Sequence, residues 1–452
     1  MRSTSATSVQ TVWWQLHPLT FLGAEPEALP ADAPPVHRLG RLEPWLDYLV
    51  ELGCDGLALG PVFASSTHGY DTVDHFRIDP RLGTDEDFDD LVAACRRRGV
   101  KLLLDGVFHH VGRDFGAFRD VREHGASSAH APWFRIDWSA DGPEGDGFGY
   151  DDFEGHRQLV ALDHTEPAVR DHVRRVMDHW LRRGAHGWRL DAAYAVPSSF
   201  WRDVIAPVRA DHPHAWFVGE TIHGDYIAAV RDGGLDSVTQ YELWKALWSC
   251  LNDRNFFELA WALDRHNGFA AAFQPLTFVG NHDVTRLASR LDDPRHLAHA
   301  LTVLFTVAGT PSVYAGDEQA FRGVKYERAD GDADIRPAFP DRPDDLAPYG
   351  WPVYRLHQNL IGLRRRHPWL VRARTEALHL DNQAFAYRVH DPDGGPGLAV
   401  LLNVSDSTVD FPAVDASAKR LLCADPDDDG PAHRLAPHGW SVLELPSPGA
   451  PS

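Results

Sequence analysis

Asp191, Glu220 and Asp283 each close a short, largely apolar run: HGWRLD, WFVGE and PLTFVGNHD. A further run, KLLLDGVFHH, carries Asp105 within it and ends in His109 and His110. A carboxylate at the end of a buried segment is costly unless paired or hydrogen-bonded, so four such segments need a common reason. Arg189 stands two residues before Asp191, and on a strand both side chains face the same way. Taken singly, that pair reads as a structural ion pair. Together with Glu220 and Asp283 it reads as a reaction centre, because packing never calls for three clustered carboxylates. Cleavage of a glycosidic bond is the chemistry that fits. Its oxocarbenium-like transition state needs an anion beneath the anomeric carbon and a protonated acid beside the leaving oxygen. Asp191 and Glu220 can take those two roles from neighbouring strands. Arg189 is expected to hold Asp191 ionised with a lowered pKa, and a drier setting to raise that of Glu220.

The elements that must position these residues alternate. Strands are predicted over residues 12–21, 55–63, 101–108, 186–191, 216–221, 237–240, 275–281 and 311–317, with helices over 42–52 and 85–98. Near-continuous apolar strands alternating with helices imply a parallel sheet covered on both faces. Eight strands close a barrel, whose functional residues gather at the C-terminal strand ends. The expected fold is therefore α/β: a (β/α)8 TIM barrel with a small domain inserted after strand 3 and a C-terminal antiparallel β-domain. The barrel takes residues 1–110 and 165–367, the insertion 111–164, and the β-sandwich-like C-terminal domain 368–452. The run DGPEGDGFGYDDFEG marks the insertion, and AFAYRVH, GLAVLLNVS and WSVLEL mark the terminal domain. The loop over 321–348, rich in Arg, Asp and Pro, is expected on the surface.

The motifs LLLDGVFHH, GWRLDAAYA, FVGE and FVGNHD resemble the four ordered regions of the α-amylase family, glycoside hydrolase family 13. The likeness covers the whole chain. It implies a retaining mechanism with Asp191 as nucleophile and Glu220 as general acid/base. Asp283 would be the third carboxylate, holding the hydroxyls of the distorted ring. His110, Arg189 and His282 would line the same subsite. In HGYDTVDHF, Tyr70 resembles the tyrosine that stacks on the sugar, with Asp71 supporting it. Tyr194 and Ala195 stand where region two often carries Lys-His on the leaving-group side. Ala192, just after the nucleophile, leans toward α-1,4 over α-1,6 linkages. Region one commonly carries an Asn that ligates calcium; here the position is His109, a poor ligand for a cation that prefers oxygen. No cofactor is therefore expected, and the structural calcium of many relatives is doubted, although Asp137, Asp151 and Asp152 in the insertion could offer replacement oxygens.

Composition narrows the partners. A net charge of -21 repels phosphate backbones and anionic membranes, so neither nucleic acid nor membrane is expected, and a neutral α-linked oligosaccharide is. The 15 Trp, 11 Tyr and 22 Phe supply apolar faces against which sugar rings can pack, though most belong to the core. Four scattered cysteines form no disulfide framework. The first 14 residues show no apolar signal run, and the expected setting is cytoplasmic. The expected activity is hydrolysis of short α-1,4-linked gluco-oligosaccharides. Two rivals stand beside it: a transglycosylase or isomerase using the same carboxylates, and a non-catalytic carbohydrate-binding barrel. The sequence sets no oligomeric state.

Overall fold

The computed structural model describes residues 11–142, 145–328, 331–415, 417–425, 427 and 430–446. Most of the N-terminal stretch read for a signal segment lies outside the described residues. Eight strands form one parallel sheet: β1 (Trp13–Leu16), β2 (Gly56–Leu59), β3 (Lys101–Gly106), β4 (Gly187–Leu190), β5 (Trp216–Gly219), β6 (Ser237–Val238), β7 (Leu276–Phe278) and β8 (Thr310–Tyr314). The spatial order runs β6-β5-β4-β3-β2-β1-β8-β7. The Thr239–Leu276 bridge and the Gln240 N–H donated to Leu276 O at 2.9 Å bring β6 against β7 and close the barrel.

Every strand is shorter than its apolar run suggested. The chain leaves β1 after Leu16 and turns into a short helix, Pro18–Phe21, because Pro18 has no N–H to give a sheet. Likewise the run over 55–63 breaks at Gly60-Pro61 and resumes as a hairpin, Phe63–Ser65 with Thr72–Ile78. That hairpin has no counterpart in the predicted elements. Helices follow the strands, among them Glu43–Leu52, Asp85–Arg97 and Pro167–Arg182. The helix at Asp85–Arg97 starts on a capping box, with Thr84 and Asp87 each satisfying the other's backbone N–H.

Between β3 and the Pro167–Arg182 helix lie a small antiparallel sheet of His110–Gly112, Asp152–Phe153 and His156–Ala161 and the helix Gly116–His124. After the barrel come β9 (Arg374–Leu380), β10 (Ala384–His390), β11 (Leu398–Asn403), β12 (Lys419–Cys423) and β13 (Trp440–Glu444), an antiparallel sheet in the order β9-β10-β11-β13-β12. Alternation splits its side chains. Phe385, Tyr387, Val400 and Val442 join the barrel's core, while Ala386, Leu401 and Leu443 pack outward beneath Val409 and Leu435 of a two-stranded ribbon. Among the described residues no helix is long and apolar enough to cross a membrane.

The described part of the loop over 321–348 is largely exposed, as expected, but a few of its residues turn inward. Ile335, Arg336 and Phe339 in it are buried, and Phe339 stacks on Phe21 at 4.2 Å. These residues anchor a surface loop onto the barrel.

Inside the barrel, Trp13 stacks on Trp216 at 5.5 Å across the N-terminal strand ends, with Leu103, Val218 and Leu276 filling the space around them. Trp13 faces Gly56 in the register, and a Cβ on Gly56 would stand 2.3 Å from its ring. Gly56→Ala should therefore cost about 1–3 kcal/mol of stability by overpacking. Gly116→Ala, at a helix start with open space around it, should cost nothing by the same denaturant titration. Equal effects would contradict this packing of the barrel floor.

Candidate active site

The C-terminal ends of β3, β4, β5 and β7 bring five charged side chains to one place. Asp105 lies in β3, directly beside Arg189 of β4 in the register. Asp191 follows β4 and Glu220 follows β5, each held by a continuing ladder bond: Asp191 N–H to Gly106 O at 3.1 Å, Glu220 N–H to Leu190 O at 2.9 Å. Arg189 is the hub. Its Nη1 donates to Asp105 Oδ1 at 2.9 Å and to Asp191 Oδ1 at 2.7 Å, while its Nη2 stands 2.7 Å from Glu220 Oε1 and 3.9 Å from Asp283 Oδ2.

Asp283 has a second cation. Arg336 Nη2 reaches Asp283 Oδ1 at 2.8 Å, and Arg336 Nε donates to His282 O at 2.8 Å. Arg336 comes from the loop expected at the surface, and no motif or spacing pointed to it. Tyr241 and Asn281 form a smaller missed contact, Asn281 Nδ2 donating to the Tyr241 hydroxyl, which donates in turn to Glu220 Oε1 at 3.4 Å.

Glu220 also accepts the Ala192 N–H at 3.0 Å on Oε2. Ala192 sits in the left-handed region, φ 45°, a conformation that costs a non-glycine residue about 1 kcal/mol or more. The strained turn after Asp191 thus aims a backbone donor at Glu220. A β-branched residue there would be more strained still.

An aromatic wall borders the cluster. Tyr70 and His282 lie parallel, with ring centroids 5.7 Å apart. The Tyr70 hydroxyl donates to Asp105 Oδ2 at 3.2 Å and meets His282 Nε2. Asp71 does not face the cluster. Its carboxylate accepts from Thr67 N–H at 3.1 Å and Thr67 Oγ1 at 2.7 Å, closing the turn that carries Tyr70. His110 packs against Phe153 at 4.8 Å, and among the described residues its buried Nε2 has no well-aligned hydrogen-bond partner, the Tyr70 backbone being a polar neighbour of the ring. Tyr194 stands on the rim, its hydroxyl bonded to Glu154 of the insertion at 2.8 Å.

Burial dominates the electrostatics. It pushes Asp191 and Glu220 each up to about 7 and Asp105 to about 6, against the opposing pull of Arg189. The expected lowering of Asp191 therefore does not hold, because one guanidinium is shared among Asp105, Asp191 and Glu220 in a dry site. Asp283 goes the other way. Burial raises it, but His282, Arg336 and Arg189 outweigh that and hold it well below the usual carboxylate range. His282 is itself pushed by burial to about 3, so at neutral pH the two guanidiniums supply that charge. Burial thus favours keeping a proton among the coupled carboxyls of Asp105, Asp191 and Glu220, while Asp283 stays ionised.

The residues around His109 do not suit calcium. His109 offers only ring nitrogens, and Nδ1 faces His110 Nδ1 at 3.2 Å. In the insertion, Asp137 accepts from Ser139, Asp151 pairs with Arg135 at 3.5 Å, and Asp152 pairs with Arg157 at 3.0 Å. A cation wanting about six to eight oxygens finds these carboxylates already engaged.

The raised carboxyls carry a stability signature. Because Glu220 is held up to about 7 when folded and near 4 when unfolded, its contribution is fully present below about pH 4 and lost as pH rises toward 7. Glu220→Gln should thus gain Tm relative to the parent as pH rises from about 4.5 to 7.5, by on the order of a few degrees. A gain that shrinks over that range in thermal melts would contradict the raised pKa.

Known proteins resemble this chain in sequence and fold. The family model for the α-amylase catalytic domain matches residues 42–370. A cyclomaltodextrinase of Geobacillus thermopakistaniensis is 30% identical over 440 residues, 91% of this chain and 72% of the relative. An intracellular maltogenic amylase of Bacillus subtilis is 30% identical over 336 residues, covering 69% of this chain and 56% of its own. The ligand-free cyclic α-maltosyl-(1→6)-maltose hydrolase of Arthrobacter globiformis superposes with a TM-score of 0.80 at 27% identity, over 97% of this chain and 98% of that one. The chain spans between 51% and 72% of the length of its curated relatives. With the eight-stranded barrel, the C-terminal β-domain and this match over most of its length, the chain belongs to the α-amylase family.

Proposed function

We propose that this chain is a retaining α-glycosidase acting on short α-1,4-linked gluco-oligosaccharides. The observation that carries the reading is the set of carboxylates gathered on Arg189 at the barrel's C-terminal mouth. Asp191, ionised while the proton kept by the coupled carboxyls sits on Glu220, attacks the anomeric carbon as Glu220 gives that proton to the leaving oxygen. Water, deprotonated by Glu220, then releases the glycosyl group from Asp191 with the α configuration restored. Asp283, kept ionised by Arg189 and Arg336, accepts hydrogen bonds from the hydroxyls of the distorted ring. Tyr70 offers its face to that ring, and His110 and His282 bind its hydroxyls. Tyr194 reaches the leaving-group side.

Relatives named for cyclomaltodextrins and for cyclic α-maltosyl-(1→6)-maltose support testing cyclic oligosaccharides first, beside maltose and maltotriose. A cytoplasmic setting accords with the intracellular relative and with four free thiols, of which Cys54, Cys95 and Cys250 are buried.

Asp191→Asn should lower kcat by on the order of 10⁴ or more on the best substrate, and retention of a tenth of the parent activity would contradict the nucleophile. NMR of the first-formed product should show the α-anomer; a β-anomer would rule out retention. Time-resolved product analysis with maltotriose should give glucose and maltose, whereas longer oligosaccharides accumulating early would favour transglycosylation.

Calcium should be dispensable for activity. Dialysis against EDTA and assay in chelated buffer should leave the rate unchanged, and a loss restored by calcium alone would contradict the reading of His109.

A further inference from the structure

The barrel meets the C-terminal domain through a pair of histidines that makes no contact with the carboxylate cluster among the described residues. His296 ends the turn Pro294–His296 that leads into the barrel helix Leu297–Thr306, and His438 lies in the turn just before β13. Their rings are stacked 5.2 Å apart, with His296 Nε2 at 3.0 Å from His438 Nδ1. Asp293 joins them. Its Oδ2 stands 4.0 Å from each of those same two nitrogens.

We propose that His296, His438 and Asp293 form a binding site for a zinc-class divalent metal that ties the catalytic barrel to the C-terminal β-domain. Three ligand atoms with edges of 3.0, 4.0 and 4.0 Å have an equidistant point about 2.2 Å from each in their own plane, and a small turn of the Asp293 carboxylate toward the two rings would let an ion sit above that plane at Zn–N and Zn–O lengths of about 2.0–2.2 Å. Two imidazole nitrogens and one carboxylate oxygen suit zinc, nickel or cobalt and not calcium or magnesium. The partly exposed side at Asp293, whose side chain is 21% exposed, leaves room for water as a fourth ligand.

A second, independent contact supports the assignment. The far nitrogen of His438, Nε2, lies 2.9 Å from Asp406 Oδ1. A carboxylate accepting from one ring nitrogen fixes the proton there and leaves Nδ1 with a lone pair, as in carboxylate–histidine–metal arrangements; without metal that lone pair accepts from His296 Nε2, whose proton leaves or moves to Nδ1 when an ion binds. His438 also holds a left-handed backbone, φ 55°, which a non-glycine residue adopts at a cost. Arg295 opposes the metal, since its Nη2 lies 2.6 Å from Asp293 Oδ2. Its side chain is 58% exposed and can swing into water when the carboxylate turns to an ion.

The test uses the full-length, tag-free protein stripped with chelator and then dialysed against buffered zinc. The parent should retain about one zinc ion per chain by elemental analysis, melt a few degrees higher with zinc than without, and with cobalt show the absorption bands of a four-coordinate ion. His438→Asn keeps a residue tolerant of the left-handed backbone, and His296→Gln keeps an amide of similar reach. Each should lose the bound ion and the zinc-dependent rise in melting temperature. Asp406→Asn should weaken binding by about 10-fold or more, while the exposed-histidine variant His124→Gln should match the parent. A parent that binds no zinc at micromolar concentration would overturn the site and leave a hydrogen-bonded histidine pair in its place. Zinc bound equally by the parent and by whichever of the His438 and His296 variants folds would overturn it too.

Discussion

One positive charge holds the centre of this molecule together. Arg189, 7% exposed, donates to Asp105 and Asp191 through one nitrogen and faces Glu220 and Asp283 through the other. A buried guanidinium cannot lose its proton and presents its donors in a fixed fork, so the carboxylates must arrange themselves around it. A single guanidinium cannot neutralise four of them. The deficit appears as raised affinity for a proton at Asp191 and Glu220, and a site meant to protonate a leaving group near neutral pH needs that property. Asp283 escapes the deficit through Arg336, so it stays ionised beside neighbours that compete for protons.

The barrel exists, in this sense, to deliver the fork. The parallel register sets Arg189 beside Asp105, and the next rung carries Asp191 and Glu220 out of the sheet at the same level. Further out, the architecture supplies shape in place of charge. The hairpin Phe63–Ser65 with Thr72–Ile78 brings Tyr70 over the site from one side, and the small sheet after β3 brings Phe153 against His110 from another. The loop over 321–348 brings in Arg336. A separate cavity of about 670 Å³ between the helix Phe256–Ala272 and strands β9 and β10 includes Trp261 and Phe257 in its wall and holds none of the four carboxylates around Arg189.

The carboxylates and Arg189 were legible in the sequence because strand ends in a barrel make polar residues conspicuous against apolar runs. The eight strands were legible for the same reason, although their ends were not. Apolar runs continue past the last ladder bond wherever the chain stays buried, as at residues 107–108 after β3. Arg336 was hidden because its role depends on a long polar loop folding back over the barrel, and loop composition says nothing of where a loop packs. Asp71 was placed beside Tyr70 correctly in sequence, but which way it faces is decided by the turn it closes with Thr67. The direction of the Asp191 pKa is not legible in the sequence for a different reason. An i, i+2 pairing with Arg189 was visible, whereas the sharing of that arginine with Asp105 and Glu220 emerges only in three dimensions.

The division of labour around Arg189 can be tested by trapping the intermediate it is proposed to serve. An activated fluorinated α-glucosyl fluoride loses fluoride to the attacking carboxylate and leaves a slowly hydrolysed ester, which peptide mass spectrometry can locate. The account predicts a single modified peptide with the sugar on Asp191. A sugar on Glu220, Asp283 or Asp105, or a chain that turns over without any covalent adduct, would contradict it.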